Sequence, residues 1–401
     1  MRGSPIPMAY RVIYIVLLFL PTIKFNYLFL PCLVLFYSIA ALSLGFTFMP
    51  TEMSYYLYLS IFMAIVGCLK TQKSFPGYPI LLFSFLWVFI TSSNVINSSS
   101  FEKISYSLLC FIFLFIIASV NKQDIQRILI YVPFSFIIAS FTGSVLLLVN
   151  REFFIVQAGG DYERLMTASI NYSCTTIGIG SVMAFMHSLR PSNRLPLRLL
   201  CLTSFGVSIV ALLMLASRGA LLSVSIACLL ILFFSRVKTG YKIFGVLFIV
   251  LFALILYQNN SFDLLIYRIQ EDDGTGSNRL DLWALKLASF RELDSNLEYI
   301  FGIGLERALH LGQTNNAIYL HNDFLAFFIE YGLVGLGLFV LLLVYPLLKV
   351  SKSLRITVLP FLAFIVTTSL LLEPFAIGFL PIFFLLLYVY LLAFAKDSIR
   401  V

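Results

Sequence analysis

The chain has 401 residues, 60% of them hydrophobic and only 11% charged, with a mean hydropathy of +0.98. A soluble domain carries roughly 25% charged residues, so the composition excludes a water-soluble enzyme or binding module and points to a polytopic membrane protein. The net charge of +8 is not a nucleic-acid signal, because the charges sort by loop.

In chain order, apolar runs that can cross a hydrocarbon core of about 30 Å are predicted at 27–46, 54–70, 77–92, 103–120, 125–149, 168–189, 199–216, 218–236, 241–258, 323–347, 355–373 and 376–395. They make an all-α polytopic integral membrane domain of about twelve helices over 1–401, since backbone groups in a bilayer must be bonded within the segment. The stretch 8–23, closed in by Arg11 and Lys24 and interrupted by Pro21, reads as interfacial or re-entrant. No small-residue cleavage site follows it, so no removable signal peptide is expected.

With these spans, one set of loops holds eighteen basic against two acidic residues, and the alternate set nine basic against seventeen acidic. Basic loops stay cytoplasmic. Both termini are therefore expected inside, and the long segment 259–322, between the ninth and tenth spans, outside. Within that outer loop "RLDLWALKLASF" predicts an amphipathic helix near 279–291, capped by Ser277 or Asn278, with Leu280, Trp283, Leu287 and Phe290 on one face. Such a helix lies on the membrane surface or over a cavity. A shorter outer loop, 150–167, contains Arg151, Asp161, Glu163 and Arg164. All six cysteines fall inside apolar runs at wide spacing, as helix-packing residues do.

Few polar residues interrupt the apolar pattern, which makes each a candidate. Arg218, in "LMLASRGALLSV", stands where two spans meet with almost no loop, and an ionisable residue at a membrane boundary is a functional hypothesis by default. The competing reading is an arginine snorkelling to lipid phosphates. Arg279 opens the loop helix, where it and the helix N-terminus suit an anion; a solvated surface arginine is the alternative. Arg164, Arg268, Arg291 and Arg307 share that ambiguity.

His321 stands where the outer loop re-enters the membrane, ahead of Gly332, Gly335 and Gly337, whose spacing predicts a small-residue face for tight packing. Imidazole suits proton transfer near neutral pH, while an interfacial or capping histidine is the bland alternative. His187 and His310 are read as structural, and three scattered histidines make no zinc site. Arginine binds phosphate bidentately. The convergence expected is therefore arginines and one histidine around a lipid-borne diphosphate at the outer face.

These motifs resemble the O-antigen polymerase and O-antigen ligase superfamily of bacterial envelopes. The likeness rests on His321-Asn322, nine residues, then "GLVG" from Gly332 to Gly335; on "SRGAL" at 217–221; and on "RLDLWALKLASF … IFGIGLE". It implies a GT-C-like membrane fold and a glycosyltransferase in the inner membrane. The donor would be an undecaprenyl-diphosphate-linked oligosaccharide and the acceptor a sugar hydroxyl, joined in the periplasm with no cofactor, metal or nucleic acid. It implies Arg218 and Arg279 as diphosphate binders and His321 as base or acceptor-orienting group. Arg164, Arg268 and Asn322 would be substrate contacts, Asn322 either touching substrate or holding the histidine's tautomer.

"HNDFL" before "EYGLVG" and the tryptophan-bearing loop helix lean toward a polymerase, which works with a chain-length regulator. The alternative is a ligase that delivers glycan to lipid A-core. A lipid-linked glycan transporter is the rival from another class, although such proteins gather charges near the midplane, whereas here they lie at the outer edge.

Overall fold

A computed structural model of the chain describes residues 122–372, apart from residue 150 and the stretches 160–161, 166–169, 191–192, 235–237, 259–261, 264–265, 268–278, 294–295, 305–306, 313–319 and 350–351. The spans predicted at 27–46, 54–70, 77–92, 103–120 and 376–395, the stretch 8–23, both termini and Arg268 lie outside these residues.

Seven predicted spans each coincide with a helix, within four residues at either end. They are α1 (Lys122–Val149), α3 (Ile170–Leu189), α4 (Leu195–Met214), α5 (Arg218–Phe234), α6 (Thr239–Gln258), α10 (Asp323–Lys349) and α11 (Lys352–Leu371). Val132–Val149, Leu195–Met214 and Asp323–Leu341 are long and apolar enough to cross a membrane, and Arg218–Phe234 and Val358–Leu371 are shorter apolar helices. The expectation of an all-α chain needs one correction. After a single helical turn, α2 (Arg151–Phe154), the segment between α1 and α3 forms an antiparallel hairpin of β1 (Ile155–Gly159) and β2 (Tyr162–Leu165). Its register sets Ile155 opposite Leu165 and Val156 opposite Arg164. Its backbone groups thereby pair with each other as buried or lipid-facing groups must.

α3 is the central helix. Every residue from Ser173 to Leu189 is buried, and α1, α4, α5 and α11 pack around it. Its sequence suits that place: serines, threonines and glycines in "SCTTIGIGS" allow backbones to approach closely, and hydroxyls bond across the interfaces. A Cβ added at Gly180 would stand 2.3 Å from the Phe136 carbonyl oxygen on α1. Ser140 Oγ donates to the Ile177 carbonyl at 2.9 Å and pairs with Ser208 Oγ at 2.8 Å, which ties α1, α3 and α4 together.

Outside the bundle, α7 (Arg279–Arg291), α8 (Asn296–Phe301) and α9 (Arg307–His310) pack onto the first turns of α10. Phe290, Ile303, Ala308, Leu320, Ala326 and Ile329 are their buried core. The predicted apolar face of α7 is rotated in the structure. Phe290 is buried and Trp283 half-buried, but Leu280 is exposed and the inward position is taken by Lys286, whose side chain is wholly buried. Its Nζ donates to the Ala308 carbonyl at 2.9 Å, which is what makes a buried ammonium tolerable there. Burial also holds its pKa below the usual lysine range.

α10 is broken. Gly332 has φ 66° and ψ −166°, outside helical space, so the carbonyls above the break lose their helical partners. The Phe301–Gly304 turn supplies replacements: the N–H of Ile303 donates to Ile329 O at 3.0 Å and that of Gly304 to Glu330 O at 2.9 Å. The two backbones meet so closely that a Cβ at Gly332 would lie 2.3 Å from Ile300 O, and one at Gly302 2.2 Å from Glu330 O. The small-residue face expected of Gly332, Gly335 and Gly337 is thus corrected. Gly332 serves this junction, Gly335 makes room for Tyr331 of its own helix, and Gly337 has nothing within 4 Å.

Candidate functional site

The site is built around the C-terminal end of α11. The last carbonyls of a helix have no partner within it and carry partial negative charge. Here they take donors from two other elements. Arg279 Nη1, from the first residue of α7, donates to Leu371 O at 2.6 Å. Asn171 Nδ2, from the outer end of α3, donates to Leu372 O at 2.9 Å.

The start of α5, at Arg218, lies near the same end of α11. The two-residue turn Leu215–Ala216, with Ala216 at φ 49°, reverses the chain between α4 and α5, and Ser217 O accepts the helical bond from Leu221 at 3.1 Å. Arg218 is therefore the first residue of α5. Its neighbour Gly219 lies against α11: a Cβ there would stand 3.0 Å from Leu371 Cβ and 3.2 Å from Leu372 Cδ2.

His321 enters from the opposite side, in the left-handed conformation at φ 55°. Two neighbours hold it. Leu320 O accepts from Trp283 Nε1 of α7 at 2.7 Å. Asn322 caps α10, its Oδ1 accepting the N–H of Leu325 at 3.1 Å, as an asparagine at that position does. The His321 ring itself meets Asn171, with Nδ1 at 3.3 Å from Asn171 Nδ2. Burial first, and then the positive charge of Arg279, hold the imidazole down at about 4. It is neutral at any pH near 7.

The structure thus brings Arg279 and, through Asn171, His321 to one end of α11, and sets Gly219, the neighbour of Arg218, against the same end. Arg164 sits on β2 opposite Val156, seven residues before Asn171 in the chain. His187 is buried within α3 against Phe134, ring centroids 5.4 Å apart, and His310 is exposed at the end of α9. Cys174, Cys201 and Cys228 are buried thiols outside any disulfide, in keeping with packing residues. Among the described residues no three His, Cys, Asp or Glu side chains assemble as a metal site.

Asn171 and the carbonyls of Leu371 and Leu372 are the parts that sequence reasoning missed. The asparagine carried the same signal as His321, a polar side chain at the outer mouth of an apolar run.

Arg279 and a neutral imidazole thus lie at the terminus of one helix, at one end of a helical bundle with a packed loop core. A family model described as O-Antigen ligase matches residues 203–340, which span Arg218, the loop helix and His321. The match supports the O-antigen polymerase and ligase superfamily and implies a glycosyl-transferring membrane enzyme that acts on lipid-linked glycans. No curated protein matches the chain.

Proposed function

We propose that this protein is an O-antigen polymerase of the bacterial inner membrane, which joins undecaprenyl-diphosphate-linked repeat units on the periplasmic side. The observation that carries this reading is that Arg279 and, through Asn171, His321 gather at the end of α11, against which Gly219, next to Arg218, also packs. The anomeric carbon–oxygen bond to the diphosphate breaks, its electron pair stays with the departing lipid diphosphate, and the acceptor hydroxyl oxygen bonds to the anomeric carbon. Guanidinium groups placed where that negative charge grows stabilise the transition state, and holding both sugars in one cavity removes much of the entropic barrier. These arginines take the charge-neutralising role that a divalent cation has in other sugar transferases. His321 acts as base or orienting group, Asn322 supports it, and Arg164 and Arg268 are the further candidates for contact with the glycan. The outer placement rests on the loop charges, which also put both termini in the cytoplasm.

A second reading, ligation of the finished glycan to lipid A-core, is favoured by the description of the matching family as O-Antigen ligase. Deletion of the gene followed by lipopolysaccharide electrophoresis separates the two. A polymerase mutant keeps one repeat unit on the lipid core. A ligase mutant shows bare core while lipid-linked polymer accumulates. A purified protein that moves lipid-linked glycan across liposomes yet joins no sugars would overturn both readings, as would full product from a chain with alanine at Arg218, Arg279 and His321 together.

A further inference from the structure

The Asn171 amide has only one workable orientation. Leu372 O is purely an acceptor, so the amide nitrogen, 2.9 Å away, must face it. The same nitrogen lies 3.3 Å from His321 Nδ1. It has two hydrogens, one for the carbonyl and one for the ring. A proton on Nδ1 would set two N–H groups against each other, so Nδ1 keeps its lone pair, and a neutral imidazole then carries its single proton on Nε2.

We infer that Asn171 is a positioning residue that locks His321 as the neutral Nε2–H tautomer, so that the histidine meets substrate as a hydrogen-bond donor and not as a proton acceptor. The inference rests on the glycosyl-transfer reading of this site and says what the histidine does within it. The charged groups around the ring agree with it. Arg279 approaches from α7, Arg218 heads α5 beside Leu371, and Asp323 follows two residues on in α10. Lys286 is turned to Ala308, α3 brings the Asn171 amide, and α11 offers the main-chain carbonyls of Leu371 and Leu372. Glu373, next along the chain, lies outside the described residues.

Burial and Arg279 together oppose an imidazolium, whereas a neutral N–H adds a bond to an anion without a further full charge. Nε2–H then donates to a diphosphate oxygen. The carbon–oxygen electron pair goes to that diphosphate, and so does the acceptor's hydroxyl proton once its oxygen has bonded to the anomeric carbon. No side chain is needed as base.

Nitrogen-15 spectra of the full-length protein with labelled histidine, in lipid nanodiscs and without substrate, read the tautomer directly, with His321→Gln identifying the ring. The expected pattern is Nε2–H with an unprotonated Nδ1, unchanged from pH 5.5 to 8. An Nδ1–H pattern, or titration within that range, would overturn the inference. Because the spectrum needs no turnover, it stands apart from the question of whether sugars are joined at all.

A second arm uses Asn171→Asp, whose carboxylate draws the proton to Nδ1 and raises the pKa of the ring. Acting as donor, His321 then works only while charged. Transfer by N171D should therefore fall as pH rises through the new pKa, at least tenfold below the parent at pH 8. Transfer by N171D that instead rises with pH would show a base and sink the inference.

Discussion

In the proposed function Arg279 has two tasks. One guanidinium nitrogen donates to Leu371 O at 2.6 Å, and the fixed planar fork is the geometry that would meet an anion. Lysine has a point charge and cannot serve both in fixed geometry. Arg279→Lys is therefore expected to cut glycan transfer at least tenfold, while Arg291→Lys, at the exposed end of the same helix, leaves it within twofold. Chain-length profiles on gels, normalised to protein in the membrane, decide this.

His321 gives a pH prediction whose sign follows from its depressed value of about 4. Between pH 6.5 and 4 the unfolded chain takes up a proton that the folded site refuses, so this contribution to stability is complete above 6.5 and is lost on acidification toward 4. Thermal unfolding in detergent should show that acid loss in the parent and a smaller one in His321→Gln. A polar side chain at the edge of an apolar run or at the start of a loop helix is conspicuous, which is why Arg218, Arg279 and His321 stand out as candidates in the sequence. The helix-end carbonyls of α11 do not, because a main-chain acceptor leaves no trace in residue type.

At the scale of elements, the junction between α10 and the Phe301–Gly304 turn fixes where His321 sits. Two backbones within van der Waals range, with Gly302 at φ 80° and Gly332 at φ 66°, exclude any side chain at either position. Gly332→Ala should destabilise the protein by about 3 kcal/mol or more, from strain and collision together. Gly337→Ala, with open space around it, should be neutral or gain up to about 1 kcal/mol from helix propensity. Equal melting temperatures for the two variants would contradict this account of the break.

The "GLVG" spacing marked the place from sequence, but as helix packing. A positive φ inside an apolar run has no periodic signature, so the break itself was hidden. The inward face of α7 was misread for a related reason. Lys286 counts as polar in any periodicity, and the Ala308 carbonyl that helps to make its burial tolerable leaves no mark in the pattern.

At the scale of the molecule, the bundle follows from hydrophobicity alone. Spans from 125–149 to 355–373 reappear as helices because a bilayer leaves the backbone no other choice. Which helix lies at the centre was not legible from apolar content. It is α3, the one richest in small and hydroxyl residues, and its packing depends on partners far apart in sequence. The sidedness implied by the loop charges is testable in a cysteine-free chain. A cysteine at Glu292, exposed after α7, should react with an impermeant maleimide in intact spheroplasts, and one at Lys238, exposed before α6, only after lysis. The reverse pattern would turn the topology over.

The split in α10 has one more effect. Adding a residue to the half of the helix beyond Gly332 swings its lipid-facing stripe by about 100°, yet the upper stub stays clamped by Ile303 and Gly304. An insertion beyond Gly332 would therefore re-aim the far half of α10 without loosening the two backbone bonds that set the near half.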